Sequence, residues 1–269
     1  MDGQIAAEHF SRYLFVSHYL DLGGKKVLDI ASGAGYGSYL LAQKARQVTG
    51  VDISQETVDY ANSHYKRENL TFQQGSCYEI PLPADSIDVV VSFETLEHID
   101  RHEDFLSEVE RVLRPDGIVV ISSPNKHLYT DVPNKVNPYH VKELYNEEFL
   151  ALVNQRYRYT EYLGQNYLLS SVIYPINRTH PSLGRPAEYA ENDFREKEPL
   201  YNILIASNAP LSALRPLPAA FFYEDTVTID NIRQAAFLEG QNSCRNTHAW
   251  KVGHLLLTPF RFFRHLFSR

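Results

Sequence analysis

The chain has 269 residues, of which 43% are hydrophobic and 22% charged, and its formal net charge is −7. This composition is typical of a folded globular protein and excludes a mainly disordered, collagen-like or coiled-coil chain. The acidic balance argues against nucleic acid as a partner, because nucleic-acid binding needs a basic surface. Two cysteines are too few for a disulfide framework or a structural zinc site, which predicts a reducing, cytoplasmic location.

Short apolar runs alternate with helix-like segments from residue 25 to 123, the pattern of a parallel α/β sheet covered by helices on both faces. The predicted strands are 26–30, 47–51, 70–74, 87–92 and 118–122, and the predicted helices are 36–45, 55–67 and 101–113. Ser54 is expected to cap the second helix, and the turn Pro115-Asp116-Gly117 to close the third. Beyond them we predict a helix at 147–154 capped by Asn146, and strands at 158–164 and 202–206 that pair at the far edge of the sheet.

The chain is expected to have three parts: a helical segment 1–24, a main domain 25–207 and a C-terminal extension 208–269. A Pro-rich, polar insertion at about 165–198 reads as a lid. No apolar run is long enough to span a membrane. The basic, aromatic tail 255–269 predicts a helix that lies on the anionic inner face of a membrane, or one that docks on its own protein or on a second copy in a homodimer.

Glycines occupy the turn between the first predicted strand and its helix. Gly33 and Gly35 permit positive φ and a close ligand, and the helix start offers unpaired N–H groups. Asp52 ends the second strand 23 residues after Asp29, where a carboxylate can accept from ribose hydroxyls. Adenosine is therefore predicted at the carboxyl ends of these strands, the alternative being a tight loop and an ordinary turn. Ser38 stands where a dinucleotide motif has its third glycine, which disfavours a pyrophosphate.

Four sequence motifs in register, VLDIASGAGYGS, VTGVDIS, GSCYEIPLPADSIDVVVSFETLEHI and RVLRPDGIVVISSPN, resemble the class I S-adenosylmethionine-dependent methyltransferases over residues 8 to 165. The resemblance implies a Rossmann-like, doubly wound, seven-stranded and mostly parallel sheet with an antiparallel last strand. The cofactor-binding residues that it implies are Arg12, Tyr13, Asp29, Ala31, Gly33, Gly35, Asp52, Ile53, Ser76, Cys77 and Phe93.

The resemblance also implies how these residues would act. The segment 1–24 would cover the cofactor, with Arg12 on its carboxylate and Tyr13 lining the pocket; alternatively this is a surface helix with Tyr13 in the core. Two positions depart from the family pattern. Ala31 replaces the usual first glycine, and Ser76 stands where an aspartate often contacts the adenine.

Candidate catalytic groups follow the fourth strand. Glu94, Glu97 and His98 would share one face of a helical turn, and His140 follows the fifth strand at the same edge of the sheet. This set resembles that of metal-assisted O-methyltransferases, including ubiquinone-biosynthesis and small-RNA 3′-terminal enzymes, and the resemblance implies that all four residues hold Mg²⁺, Mn²⁺ or Zn²⁺. Without a metal, His98 or His140 could act as general base, with Glu94 as a further catalytic group. A purely structural role is the third alternative.

The later motifs NPYHVKELYNEEFLALV, YLGQN and LIASN resemble methyltransferases found with bacterial surface-polysaccharide synthesis. That resemblance implies O-methylation of a sugar or glycan, or of another small hydroxyl compound. Two alternatives stay open: N-methylation of an amino sugar or small amine, and a catalytically silent cofactor-binding subunit of a glycan-assembly complex.

Overall fold

The computed structural model describes residues 3–166, 198–211 and 214. The chain divides into two units, and the sheet lies in the unit Arg12–Phe222. Of the other unit, Met1–Ser11 with Tyr223–Arg269, residues 3–11 are described, and they are helical. Most of the predicted lid, nearly all of the extension after residue 208 and the whole tail 255–269 lie outside the described residues. No described helix is long and apolar enough to cross a membrane.

Helices and strands alternate along the first part of the chain, as the sequence pattern predicts. The elements are α1 Gly3–Tyr19, β1 Lys26–Ile30, α2 Tyr36–Leu41, β2 Gln47–Asp52, α3 Gln55–His64, β3 Leu70–Gln74, β4 Ile87–Ser92, a 3₁₀ turn Leu96–His98, α4 His102–Val112, β5 Leu113–Pro124, a π turn His127–Asp131, α5 Asn146–Asn154, β6 Tyr159–Gln165 and β7 Tyr201–Ser207.

The seven strands form one sheet in the order β3-β2-β1-β4-β5-β7-β6. Strands β1 to β5 are parallel to one another, and β7 is antiparallel to both β5 and β6. This confirms the predicted Rossmann-like, mostly parallel sheet, its reversed last strand and the pairing of the two late strands at the far edge. The strand order changes direction between β1 and β4, and ligands of such sheets bind outside the carboxyl ends at that point.

The core holds the central strands in place. Strands β4 and β5 carry runs of buried Val and Ile, as expected for parallel strands covered on both faces. Helix α4 buries Phe105, Leu106 and Val109 completely against one side of the sheet. Each such side chain stabilises the fold by about 1.5–3 kcal/mol. The strand ends that face the candidate site are therefore fixed.

Some predicted boundaries are wrong. Helix α4 runs directly into β5, where a closing turn at 115–117 was expected. Ile87 pairs with Leu113 while Val89 pairs with Ile118, so residues 114–117 form a bulge inside the strand. At α5 the N-cap is Tyr145, one residue before the predicted Asn146, since the backbone N–H of Tyr145 donates to the Glu148 carboxylate at 3.0 Å.

Candidate active site

The glycine turn follows β1, and Gly33 within it faces open space. Ala31, Gly33 and Gly35 all have positive φ, at 60°, 53° and 89°. The N–H of Ser32 donates to Val51 O at 3.0 Å and ties the turn to β2. Apart from its own chain neighbours, no atom of the described residues lies within 4 Å of where a Cβ on Gly33 would stand. A ligand can therefore approach this backbone closely, and Ala31 adopts the left-handed conformation that its usual glycine would favour.

The Asp52 carboxylate is fixed at the end of β2. Its Oδ2 accepts from the N–H of Gly33 at 2.9 Å, and its Oδ1 accepts from the N–H of Ser54 at 3.0 Å. The adjacent Ile53 side chain is 73% exposed. The edge of β1 and β2 thus presents an oriented carboxylate beside an uncovered apolar surface. This is the combination that an adenosine needs, with hydroxyls on one side and a flat base on the other.

The loop after β3 holds the two residues predicted to meet the adenine. The Ser76 Oγ accepts from the N–H of Tyr78 at 3.1 Å, so this hydroxyl is used within its own turn. Cys77 is half-buried, and burial raises the pKa of its thiol. The start of this loop lies beside the end of β2, because the Gly75 N–H donates to Asp52 O at 3.0 Å.

Asp29 is completely buried beneath Tyr13. The Ser38 hydroxyl donates to Asp29 at 2.6 Å and the Tyr13 hydroxyl donates at 3.1 Å. Burial outweighs these bonds and raises the pKa of Asp29 to about 7. The Tyr13 ring packs on Gly37, where a Cβ would lie 2.1 Å from the ring, and meets Phe93 edge-on at 5.0 Å between centroids. Tyr13 is therefore a core residue that closes over the turn.

Arg12 is a buried cation, with its side chain 1% exposed. Its guanidinium lies 3.3 Å from the Glu94 carboxylate, donates through Nε to Gln165 at 2.6 Å and stacks over the Tyr201 ring at 4.4 Å. Its Nη2 has no hydrogen-bond acceptor among the residues that the structure describes. A buried guanidinium with unused donors is unfavourable unless another anionic group completes it.

Glu94 departs from the predicted helical face. Its φ is 53°, and the 3₁₀ turn begins only at Leu96. The Ser122 hydroxyl explains this, because it accepts from Glu94 N–H at 3.2 Å and donates to the Glu94 carboxylate at 2.7 Å. The carboxylate thus points to Ser122 and Arg12. The prediction that Glu94 shares one helical face with Glu97 and His98 is wrong.

The other three predicted groups do come together. Ligand atoms of Glu97, His98 and His140 lie within 4.8 Å of one another. Glu97 is 1% exposed, and burial, followed by repulsion from Glu94, raises its pKa well above the ordinary value. Its backbone oxygen accepts from the N–H of Val141 at 2.7 Å. This bond brings the chain after β5 beside the turn after β4, as the common sheet edge requires.

The two imidazoles differ in the nitrogen that each offers. His98 Nδ1 donates to Tyr139 O at 2.9 Å, which leaves the Nε2 lone pair on the side of Glu97. Both nitrogens of His140 are occupied, Nδ1 by Glu143 and Nε2 by the Asn137 amide at 2.9 Å. The rings meet edge-on at 5.0 Å. His98, which is 44% exposed, therefore has the available base, and His140 is held by its neighbours.

Sequence reasoning missed the residues that position these groups. They are Ser38, Ser122, Asn137, Glu143 and Gln165. The spacing Asn137, His140, Glu143 repeats every three residues and was a readable signal, since such residues meet within one turn. Ser122 and Gln165 had no local signal, because their partners are 28 and 153 positions away.

The sheet order, the glycine turn and the acid at the end of β2 define an α/β domain of the Rossmann-like type. Residues 28–121 match the family model described as a methyltransferase domain. The chain is 39% identical over 133 residues to a protein of Mycolicibacterium smegmatis named a probable S-adenosylmethionine-dependent methyltransferase, over 48% of this chain and 50% of that protein. Residues 28–121 are therefore similar to methyltransferase domains.

Two further comparisons cover more of the chain. A fatty-acid O-methyltransferase of Mycolicibacterium smegmatis is 28% identical over 193 residues, 68% of each chain. The crystal structure of a methyltransferase dependent on S-adenosylmethionine from Archaeoglobus fulgidus has a TM-score of 0.53 and 20% identity, over 76% of this chain and 94% of that one. This likeness shows the fold. The chain spans about half the length of the first curated relatives that it matches.

Proposed function

We propose that this chain transfers a methyl group from S-adenosylmethionine to an oxygen nucleophile. The observation that carries the proposal is the Nε2 lone pair of His98. This base lies directly after β4, at the point where the strand order reverses, and its orientation is set by Tyr139. A general base placed next to a methyl donor makes a hydroxyl group a stronger nucleophile.

The described residues fit the methyl donor. Asp52 would accept from the ribose hydroxyls, with Ile53 against the adenine and Ser76 and Cys77 near its far side. The unused Nη2 of Arg12 suits the carboxylate of the methionine part. Alongside Gly33 there is room for the backbone to approach the ligand, while Gly35 packs against Phe72 and Ala61. Asp29, Ala31, Tyr13 and Phe93 then form the wall behind it.

The chemistry is a single in-line displacement. The acceptor oxygen attacks the methyl carbon, the electrons of the carbon–sulfur bond pass to sulfur, and His98 Nε2 takes the hydroxyl proton. The imidazolium that forms on His98 stays hydrogen-bonded to Tyr139 O. Base catalysis of this kind contributes about 10²–10⁴-fold to the rate. Positioning of the two reactants supplies much of the remainder.

The predicted metal site does not fit the arrangement of its ligands. Glu97, His98 and His140 are close together, and Glu97 Oε2 is buried without a hydrogen-bond partner in the described part of the chain. However, Asn137 occupies His140 Nε2, and Glu94 belongs to the Arg12 ion pair. A cation would need both to rearrange. The proposed reaction therefore uses His98 as a base without a metal.

The experiment is methyl transfer from labelled donor to a panel of sugars, glycans, fatty acids and amines. We expect His98→Ala to lower the rate by about 10²–10⁴-fold while donor binding by calorimetry is retained. His64→Ala is the matched control, because His64 is an exposed histidine on α3. An unchanged rate in His98→Ala would remove the assigned base. Loss of activity on chelation, restored by Mg²⁺, Mn²⁺ or Zn²⁺, would favour the metal-assisted route.

The panel also decides the acceptor. A sugar or glycan hydroxyl is the proposal from sequence resemblance, and the fatty-acid O-methyltransferase among the relatives supports an oxygen acceptor more generally. Transfer only to amines would establish N-methylation. Donor binding without transfer to any acceptor would favour the silent subunit. The cytoplasmic location, the homodimer and the membrane contact of the tail 255–269 remain predictions.

A further inference from the structure

Apolar side chains cover the loop that carries His140. We call residues 132–142 the rim loop. Four of its side chains are between 62% and 79% exposed: Val132, Val136, Tyr139 and Val141. They are half of the eight large apolar side chains that are exposed in the described parts of the chain. Such a concentration indicates a contact surface, because single exposed apolar residues are ordinary but clustered ones are uncommon.

The rim loop is held rigidly from below. The N–H groups of Val141 and Lys142 both donate to Glu97 O, at 2.7 and 3.1 Å, and Tyr139 O accepts from His98. At its start, Lys135 N–H donates to Thr130 O at 3.1 Å. The backbone is thus fixed against the 3₁₀ turn and the π turn. The apolar side chains point to solvent in a well-bonded loop beside the candidate base.

The rim loop is also locally basic. It contains Lys135 and Lys142 and no Asp or Glu, although the whole chain has a net charge of −7. Both lysines are exposed, and neither is ion-paired with a carboxylate in the described part of the chain. Apolar side chains between unpaired cations are the composition that binds the headgroup boundary of an anionic membrane.

We propose that the rim loop docks on an anionic lipid bilayer. Val136, Tyr139 and their apolar neighbours enter the headgroup boundary, and Lys135 and Lys142 lie on lipid phosphates. One consequence rests on the proposed function: His98 then faces the bilayer surface, and the acceptor is an amphipathic hydroxyl compound presented from it. The surface is separate from the tail 255–269, which has its own predicted membrane contact.

The test is co-sedimentation of the full chain with phosphatidylcholine vesicles, with and without phosphatidylglycerol. We expect binding that requires phosphatidylglycerol and weakens with salt. Lys135→Glu with Lys142→Glu should lower it at least about fivefold per lysine. The matched control, Lys44→Glu with Lys66→Glu, makes the same charge change at exposed positions outside the rim loop and should retain more binding. The tail is unchanged in every protein, so its contribution cancels.

Val136→Ser with Tyr139→Ser tests the apolar part, and Tyr60→Ser, on α3, is its control. Equal vesicle binding by the rim-loop variants and their controls would overturn the proposal. If the parent is a dimer, and these variants are monomers that still bind vesicles, the rim loop docks on a second copy of the chain and the membrane proposal is overturned. Calorimetry with S-adenosylmethionine separates the two proposals. Rim-loop variants that no longer bind vesicles but bind the donor like the parent would support docking. If the parent binds vesicles through the rim loop but does not bind the donor, only the proposed function is contradicted.

Discussion

The two halves of the candidate site are built differently. The donor half uses residues close together in sequence: Asp52 is held by Gly33 and Ser54, and Asp29 by Ser38. The acceptor half uses distant ones, since Glu94 meets Ser122 from 28 positions away and His98 meets Tyr139 from 41. A motif can specify the first half, whereas the whole folded sheet is needed to assemble the second. Changes in the two halves should therefore differ in what they break.

The largest expected effect is the dependence of the free energy of unfolding on pH that Asp29 causes. Its pKa of about 7 in the folded chain lies above the ordinary 3.8, so the folded state holds a proton that the unfolded state has lost between these values. The stability that this proton contributes is fully present below about pH 4 and disappears as pH rises to about 7, an effect of up to about 4 kcal/mol.

Denaturant unfolding of the parent and Asp29→Asn across this pH range measures that effect. The difference between the two free energies of unfolding should fall as pH rises and then become constant. A difference that does not change between pH 4 and pH 7 would show that Asp29 titrates normally.

Glu94→Gln is next and probes the long-range half. It leaves the Arg12 guanidinium buried without its counterion, which should lower the free energy of unfolding by about 3 kcal/mol. Glu103→Gln is the control, because that carboxylate pairs with Arg156 at 2.6 Å while 63% exposed, where such a pair stabilises by about 0–1 kcal/mol. Equal losses in chemical denaturation would contradict the burial argument.

Gly37→Ala tests how the donor half is closed. The added Cβ would overlap the Tyr13 ring, so we expect a loss of about 2 kcal/mol. In a Tyr13→Ala background the same change should be nearly neutral, because the ring is gone and alanine favours the helix. A double-mutant cycle from thermal unfolding measures this coupling. Additive effects of the two changes would mean that the ring does not rest on Gly37.

Ala31→Gly has the smallest expected effect. Relief of the positive φ should exceed the entropy that glycine costs, and the chain should gain about 0.5 kcal/mol. Ala34→Gly, in the same turn but without a positive φ, should instead lose about 0.5–1 kcal/mol. If the unfolding midpoints of both variants shift in the same direction from that of the parent, this interpretation of the turn is refuted.

The sequence predicted most of the fold because strand periodicity, the glycine turn and the N-cap at Ser54 act within a few residues. Asp52 was found for the same reason. Glu94 was placed on the wrong face since its left-handed φ depends on Ser122, which lies on another strand. His140 was identified, but Glu143 and Asn137, which determine what it can do, were not. Residue type predicts a candidate group, and only tertiary contacts decide which of its atoms is available.

The most direct test of the account is titration calorimetry of the full chain with S-adenosylmethionine, on the parent and on Asp52→Ala. The parent should bind this donor and not NAD, and Asp52→Ala should weaken binding at least about tenfold, the expected cost of losing hydrogen bonds to a charged acceptor. Asp59→Ala, which removes an exposed carboxylate on α3, should bind like the parent. Tight binding of NAD with no response to S-adenosylmethionine, or equal affinities in the parent and Asp52→Ala, would contradict it.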